Sequence, residues 1–332
     1  MSPTLSGPRM ASYALVLLTL VAAARFDLGH ALIAGLFAFM ILDQAQGALI
    51  GVGASPRLAR WSSVALFAVV GLLLAVIFVA FVRIGLARLP TLLDRLLPRV
   101  EALSGRFGLD LPVDNVQELR ALILETVKEN ARSITTTSGL LTRGFFQILL
   151  AVFIAVLRFV CAPAERAPAD APRGLDAEVL SECRDRAALF SSSFELVMGA
   201  QILVAAINTA LAAVFLIAFH IPFRTMLTLT TFVCGMIPIV GNVVSNSLIV
   251  AAALTLSDRL ALTALIFLIV VHKGSYILNS RIVAARMETP TWAILLGLLV
   301  GEALLGVTGV ILAPTLIHYV RGELRAIPAP TA

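Results

Sequence analysis

The chain reads as an all-α, polytopic helical membrane protein. Three observations carry that reading: 59% of its 332 residues are hydrophobic, only 14% are charged, and its mean hydropathy is +0.98, values far from those of soluble domains. A backbone in lipid must satisfy its own hydrogen bonds, which leaves helices and closed barrels. The short alternating segments of a barrel are missing, so a helical bundle remains.

Eight apolar segments follow in order: Met10 to Ala24, Gly29 to Leu42, Trp61 to Val82, Gly144 to Val160, Val197 to Phe219, Pro222 to Leu256, Arg259 to Leu278 and Thr291 to Tyr319. The first two, at 1.5 Å per residue, reach only about 20 to 22 Å, short of a hydrocarbon core of roughly 30 Å. They read as a hairpin that crosses only in part or extends into flanking residues. No cleavable leader is evident in this N-terminal pair.

Polar sequence divides the chain into an N-terminal membrane region (1–82), an amphipathic helical insertion (83–143), one further span (144–160), a linker with a short helix (161–196), a C-terminal membrane core (197–320) and a tail (321–332). In the insertion Leu89, Leu92, Leu96, Val100 and Leu103 recur every three or four residues, so an amphipathic helix is expected, bent or broken at Pro90 and Pro98. A second helix is expected to start at Asp114, with Gln117 three residues on. Such helices suit a membrane interface or contacts between copies, or form an ordinary exposed helical loop. The linker "CAPAERAPADAPRG" precedes a short helix expected from Asp176 to Phe190.

The segment from Pro222 would exceed about 50 Å as one straight helix, and it carries "GMIPIVGN" in its middle. Pro238 removes an amide donor, while Gly235 and Gly241 open backbone angles closed to other residues. Half-helices are expected, and their unsatisfied ends must face protein or a water-lined cavity. Discontinuous helices of this kind make substrate and ion sites in transporters. Asn242 and Asn246, one turn apart, would present amides there; the alternative is a hairpin corner that the asparagines merely cap.

The last apolar segment also exceeds about 40 Å as one helix. On a helix Glu302, Gly306, Gly309 and Ala313 would share a face, and Gln201, Ala205, Asn208 and Ala212 repeat that spacing in the fifth segment. Small residues let helix backbones approach, and polar ones among them hydrogen-bond across the contact. An ionised carboxylate at bilayer depth is costly, which makes Glu302 the acid best suited to proton or cation coupling. A neutral Glu302 in a helix contact, or one near the interface of a shallow hairpin, is the alternative.

Several chemistries are not encoded. There is no GxxxxGK[ST] phosphate loop and no HExxH, so neither that kind of ATP hydrolysis nor a zinc peptidase is expected. His30, His220, His272 and His318 sit singly near segment ends and read as interfacial side chains. Cys161, Cys183 and Cys234 show no CxxC spacing and read as inert thiols. The net charge of +5 is scattered between apolar runs, which suits lipid headgroups better than nucleic acid. No enzyme activity, cofactor or metal is expected. Basic residues in the short loops favour a cytoplasmic N-terminus.

Four motifs, "GAQILVAAINTAL", "MIPIVGN", "ILNSRIVAARMETP" and "GEALLGVTGVILAPTL", give the region Val197 to Tyr319 a pattern that resembles the autoinducer-2 exporter family of bacterial membrane proteins. The resemblance implies an inner-membrane secondary transporter driven by an ion gradient, with homo-oligomeric assembly, exporting a small polar solute such as autoinducer-2. Sodium (cation)/proton antiport is the alternative within that family. Gly199, Gln201, Pro238, Gly241, Arg281, Pro290, Gly301, Gly306, Gly309 and Pro314 match its pattern. Asn242 stands where a second proline is usual, Ser280 replaces the proline before Arg281, Gly274 falls near a position often acidic, and Glu302 stands where a small residue is usual. The expected solute or ion pathway is therefore Gln201, Asn208, Pro238, Gly241, Asn242, Asn246, Arg281, Glu302, Gly306 and Gly309. A non-transporting oligomeric membrane scaffold is the reading from a different class.

Overall fold

The structure, a computed structural model, describes residues 7–107, 117–118, 120–126, 138–161, 174–237, 240–279 and 290–325. Ten helices carry the argument: α1 (Gly7–Arg25), α2 (Gly29–Gly51), α3 (Pro56–Phe107), α4 (Ser138–Cys161), α5 (Leu175–Ala218), α6 (Arg224–Gly235), α7 (Val240–Leu254), α8 (Asp258–Asn279), α9 (Thr291–Leu305) and α10 (Val307–Arg325). No strand occurs among the described residues. Five stretches are long and apolar enough to cross a bilayer: Gly7–Arg25, Gly29–Gly51, Pro56–Val76, Arg143–Cys161 and Leu175–Ala218. Their large apolar side chains stand outward, with Leu72 69% and Phe153 62% exposed. Helices that face lipid have no reason to hide them.

The helix bounds differ from the apolar segments in four places, the first and last of which the sequence reading already allows as alternatives. α2 runs nine residues past Leu42 to Gly51, because "DQAQGALIG" is polar enough to end an apolar run without breaking a helix, so α2 is long enough to cross. The amphipathic stretch is not separated from the third span. Both belong to the 52-residue α3, which continues through Pro90 and Pro98; its expected apolar face is still used, with Leu92 only 2% exposed. The helix expected from Asp176 to Phe190 likewise continues without interruption as the 44-residue α5. Finally, the last apolar segment is a helical hairpin, since α9 ends at Leu305 and α10 begins at Val307. The helix start expected at Asp114 and the linker after Cys161 lie outside the described residues.

The chain divides into two compact units. Unit 1 is Met1–Gly71, Arg143–Gly199 and Arg286–Ala332; unit 2 is Leu72–Thr142 and Ala200–Ala285. In unit 1, α1 and α2 form a hairpin turned at Asp27, whose φ is 54°. Phe37 of α2 meets Phe194 of α5 edge-on at 5.0 Å. His30 bonds Gln147 at 2.9 Å, and His318 bonds Ser193 at 2.9 Å. Arg186 is buried; Glu182 faces it at 2.6 Å, Glu323 at 4.0 Å, and the Tyr13 ring at 4.2 Å. Tyr13 donates its hydroxyl to Glu323 at 2.8 Å, so α1, α5 and α10 share one charged junction.

Unit 2 is built on an apolar cluster that includes Leu92, Phe215, Leu216, Ile221, Leu227, Ile249 and Leu268. Phe215 stacks on Phe267 at 4.3 Å, fixing α5 against α8. Leu227, near the start of α6, belongs to the same cluster as Ala252 and Ala253, near the end of α7. The two helices therefore fold back on each other. With 12 and 15 residues they reach only about 18 and 22 Å, and neither alone crosses a hydrocarbon core of about 30 Å.

Candidate functional site

The break between α6 and α7 begins at Gly235, the last residue of α6. Gly235 is buried against α5, where an added Cβ would come within 3.1 Å of the Ala205 Cβ. Ala205, Asn208 and Ala212 are all buried, and Gln201 is half-buried, so the small-residue stripe of α5 is a contact surface as expected. Gly241 is held by a second close approach, since a Cβ there would overlap the Cys234 carbonyl. A carbonyl freed at a helix end needs a donor. Gln201 supplies it, donating its Nε2 hydrogen to the Gly235 carbonyl at 2.7 Å.

This stitch lies beside a cavity of about 1040 Å³ in unit 2. Gln201, Asn242, Asn246, Ser247, His272 and Lys273 give it polar character, while Leu96 and Val100 of α3 help to form an apolar wall. None of its described lining residues is acidic. A recess of about 10 Å³, bounded by Asn208, Thr231, Asn242, Asn246 and His272 among others, offers about the room one water needs. Apolar walls with a few convergent polar groups are the usual make-up of a small-molecule site.

Of the ten expected pathway residues, Gln201, Asn208, Asn242 and Asn246 therefore meet in unit 2, with Gly241 beside them at the break. Pro238 and Arg281 lie outside the described residues. Glu302, Gly306 and Gly309 belong to unit 1 and to the α9–α10 hairpin. Gly306 has φ 59° and ψ −140°, a backbone region open essentially to glycine alone. That turn separates Glu302 from Gly309, so the stripe expected along one helix does not form. Beyond it the two helices cross at Gly301 and Gly309, where a Cβ on Gly309 would overlap the Gly301 carbonyl. Glu302 is exposed.

Sequence reasoning missed His272 and Lys273 as cavity residues. Their signal was a polar pair closing the apolar run of α8, "VVHKGS", which looks the same whether it meets headgroups or a cavity. Ser247 carried no local signal, and the face of α3 that holds Leu96 and Val100 was legible as an apolar face but not as a cavity wall.

Paired half-length helices, a side-chain-stitched break and a partly polar cavity in a multi-pass helical chain suit a membrane transporter. The family comparison agrees: the AI-2E family transporter pattern matches residues 11–327, and the chain belongs to that family. Among curated proteins none matches it in sequence.

Proposed function

We propose that this chain is an inner-membrane secondary transporter that moves a small polar solute through the unit 2 cavity. The observation that carries the reading is the convergence of Gln201, Asn242, Asn246, His272 and Lys273 on one cavity beside a broken helix pair. Amides and a hydroxyl can both donate to and accept from a hydroxylated solute, and Lys273 adds a fixed donor. The proposal extends to export of autoinducer-2, which the family relationship supports, with an ion gradient as the driving force and a homo-oligomer as the working form. The cation/proton alternative finds less support here, because the described lining of the cavity holds no carboxylate.

The test is solute flux in proteoliposomes of the purified protein, with a sodium or proton gradient imposed and autoinducer-2 inside. Asn242→Ala/Asn246→Ala is expected to leave a folded protein and to lower flux at least about tenfold, as unpaired or missing polar groups do in sites built to bond a solute. Unchanged flux in that variant would remove the cavity from the pathway. Ion movement without solute movement would favour the antiporter, and silence for both would favour the scaffold.

A further inference from the structure

Unit 2 has a second cavity, of about 680 Å³, whose polar character comes mainly from arginine. Arg83, Arg88 and Arg95 reach it from α3, and Arg224 from the start of α6. None of its described lining residues is acidic, and none of the four forms an ion pair among the described residues. The nearby charges are matched differently. Asp94 is engaged by Arg120 at 2.6 Å, and Arg106 by Asp258 at 3.1 Å. Four like charges gathered on one concavity repel one another, which is a cost that a bound anion would remove.

The wall opposite α3 adds to this positive field. Arg224, Thr225 and Met226, in the first turn of α6, line the cavity together with Phe223 just before it. Phe223 precedes the helix in a left-handed conformation, φ 63°, with no side-chain cap. The amides of that turn have no intrahelical acceptor and carry the positive end of the helix dipole. Arg83 also comes directly after the apolar part of α3, which closes at Val82, and basic side chains at such an end suit contact with lipid headgroups.

We propose that this cavity is a binding site for a phosphate-bearing anion, gripped by Arg83, Arg88, Arg95 and Arg224. Arginine forks match phosphate oxygens in pairs, and the volume falls within the roughly 300 to 1,000 Å³ usual for ligand sites, larger than a bare phosphate requires. The phosphate can come from the headgroup of an anionic phospholipid or from a soluble phosphate. This inference is independent of the solute pathway, since the two cavities share no described lining residue.

The experiment measures the shift in thermal unfolding of the delipidated, detergent-purified protein with two probes: inorganic phosphate, and mixed micelles containing either phosphatidylglycerol or phosphatidylcholine. Stabilisation by phosphatidylglycerol and not by phosphatidylcholine is the expected result for a lipid source; stabilisation by millimolar phosphate is that for a soluble source. At about fivefold per arginine near a membrane surface, Arg88→Gln/Arg95→Gln should weaken the active probe about 25-fold. Arg99→Gln, which removes one charge from α3 outside the cavity, should change it little. Failure of both probes to stabilise the unaltered protein overturns the proposal, and so does an equal loss in Arg99→Gln. Should the double variant not fold, Arg224→Gln alone provides the same comparison.

Discussion

Two interrupted apolar segments can be compared, the α6–α7 break of unit 2 and the α9–α10 turn of unit 1. Both stand where the sequence offers more apolar residues than one crossing needs, and both are punctuated by glycine. Their closures differ. The α9–α10 turn is satisfied locally: the Gly306 amide donates to the Glu302 carbonyl at 2.7 Å, Thr308 donates its hydroxyl to the Leu305 carbonyl at 2.6 Å, and Gly301 and Gly309 bring the two backbones together. At the α6–α7 break a side chain of a third helix, Gln201 of α5, satisfies the Gly235 carbonyl, and the residues beyond it border a cavity. A turn that closes on its own backbone is packing. A break that needs a distant side-chain amide ties its geometry to the helix that provides it.

The largest expected effect lies in the self-closed turn. Gly309→Ala sets a methyl against the Gly301 carbonyl; backbone lies on both sides of the crossing, so no side chain can yield. Overpacking of this kind costs about 1 to 3 kcal/mol or more. Thermal unfolding in detergent should show a large loss of stability and a low yield of folded protein. A Gly309→Ala protein as stable as the parent would mean that α9 and α10 are not held at this distance.

Gln201→Leu comes next. It leaves the Gly235 carbonyl without its donor, a loss of about 1 to 3 kcal/mol for a buried group, less if water from the adjoining cavity replaces the amide. The comparison predicts that flux falls further than stability does. Equal scaling of the two would make the stitch a packing device like the other turn, and the contrast between the regions would fail.

Much of the fold was legible because lipid imposes a composition on every helix that faces it. The ends of α3 and α5 were not. Apolar periodicity reports what surrounds a helix, whereas backbone bonding continues where the surroundings turn polar, as it does past Val82 and before Glu195. At the site, Gln201, Asn208, Asn242 and Asn246 were legible as polar groups inside apolar runs. His272 and Lys273 were not, because the end of a run suits headgroups equally well. Glu302 and Gly309 illustrate the opposite error: their spacing fits one helix face, but the positive φ of Gly306 ends the helix between them.

The smallest effect on stability is expected at Glu302. Its side chain is exposed on α9, so Glu302→Gln should change unfolding by no more than about 0.5 kcal/mol. Its value lies in what it does to flux. If the self-closed turn is packing alone, solute movement and any accompanying proton movement in proteoliposomes persist in Glu302→Gln, and the cavity of unit 2 carries the pathway without it. If gradient-driven cation or proton flux is lost while folding is intact, a carboxylate in unit 1 takes part in coupling. The division of labour between the two breaks would then be one of solute against ion, and no longer one of site against packing.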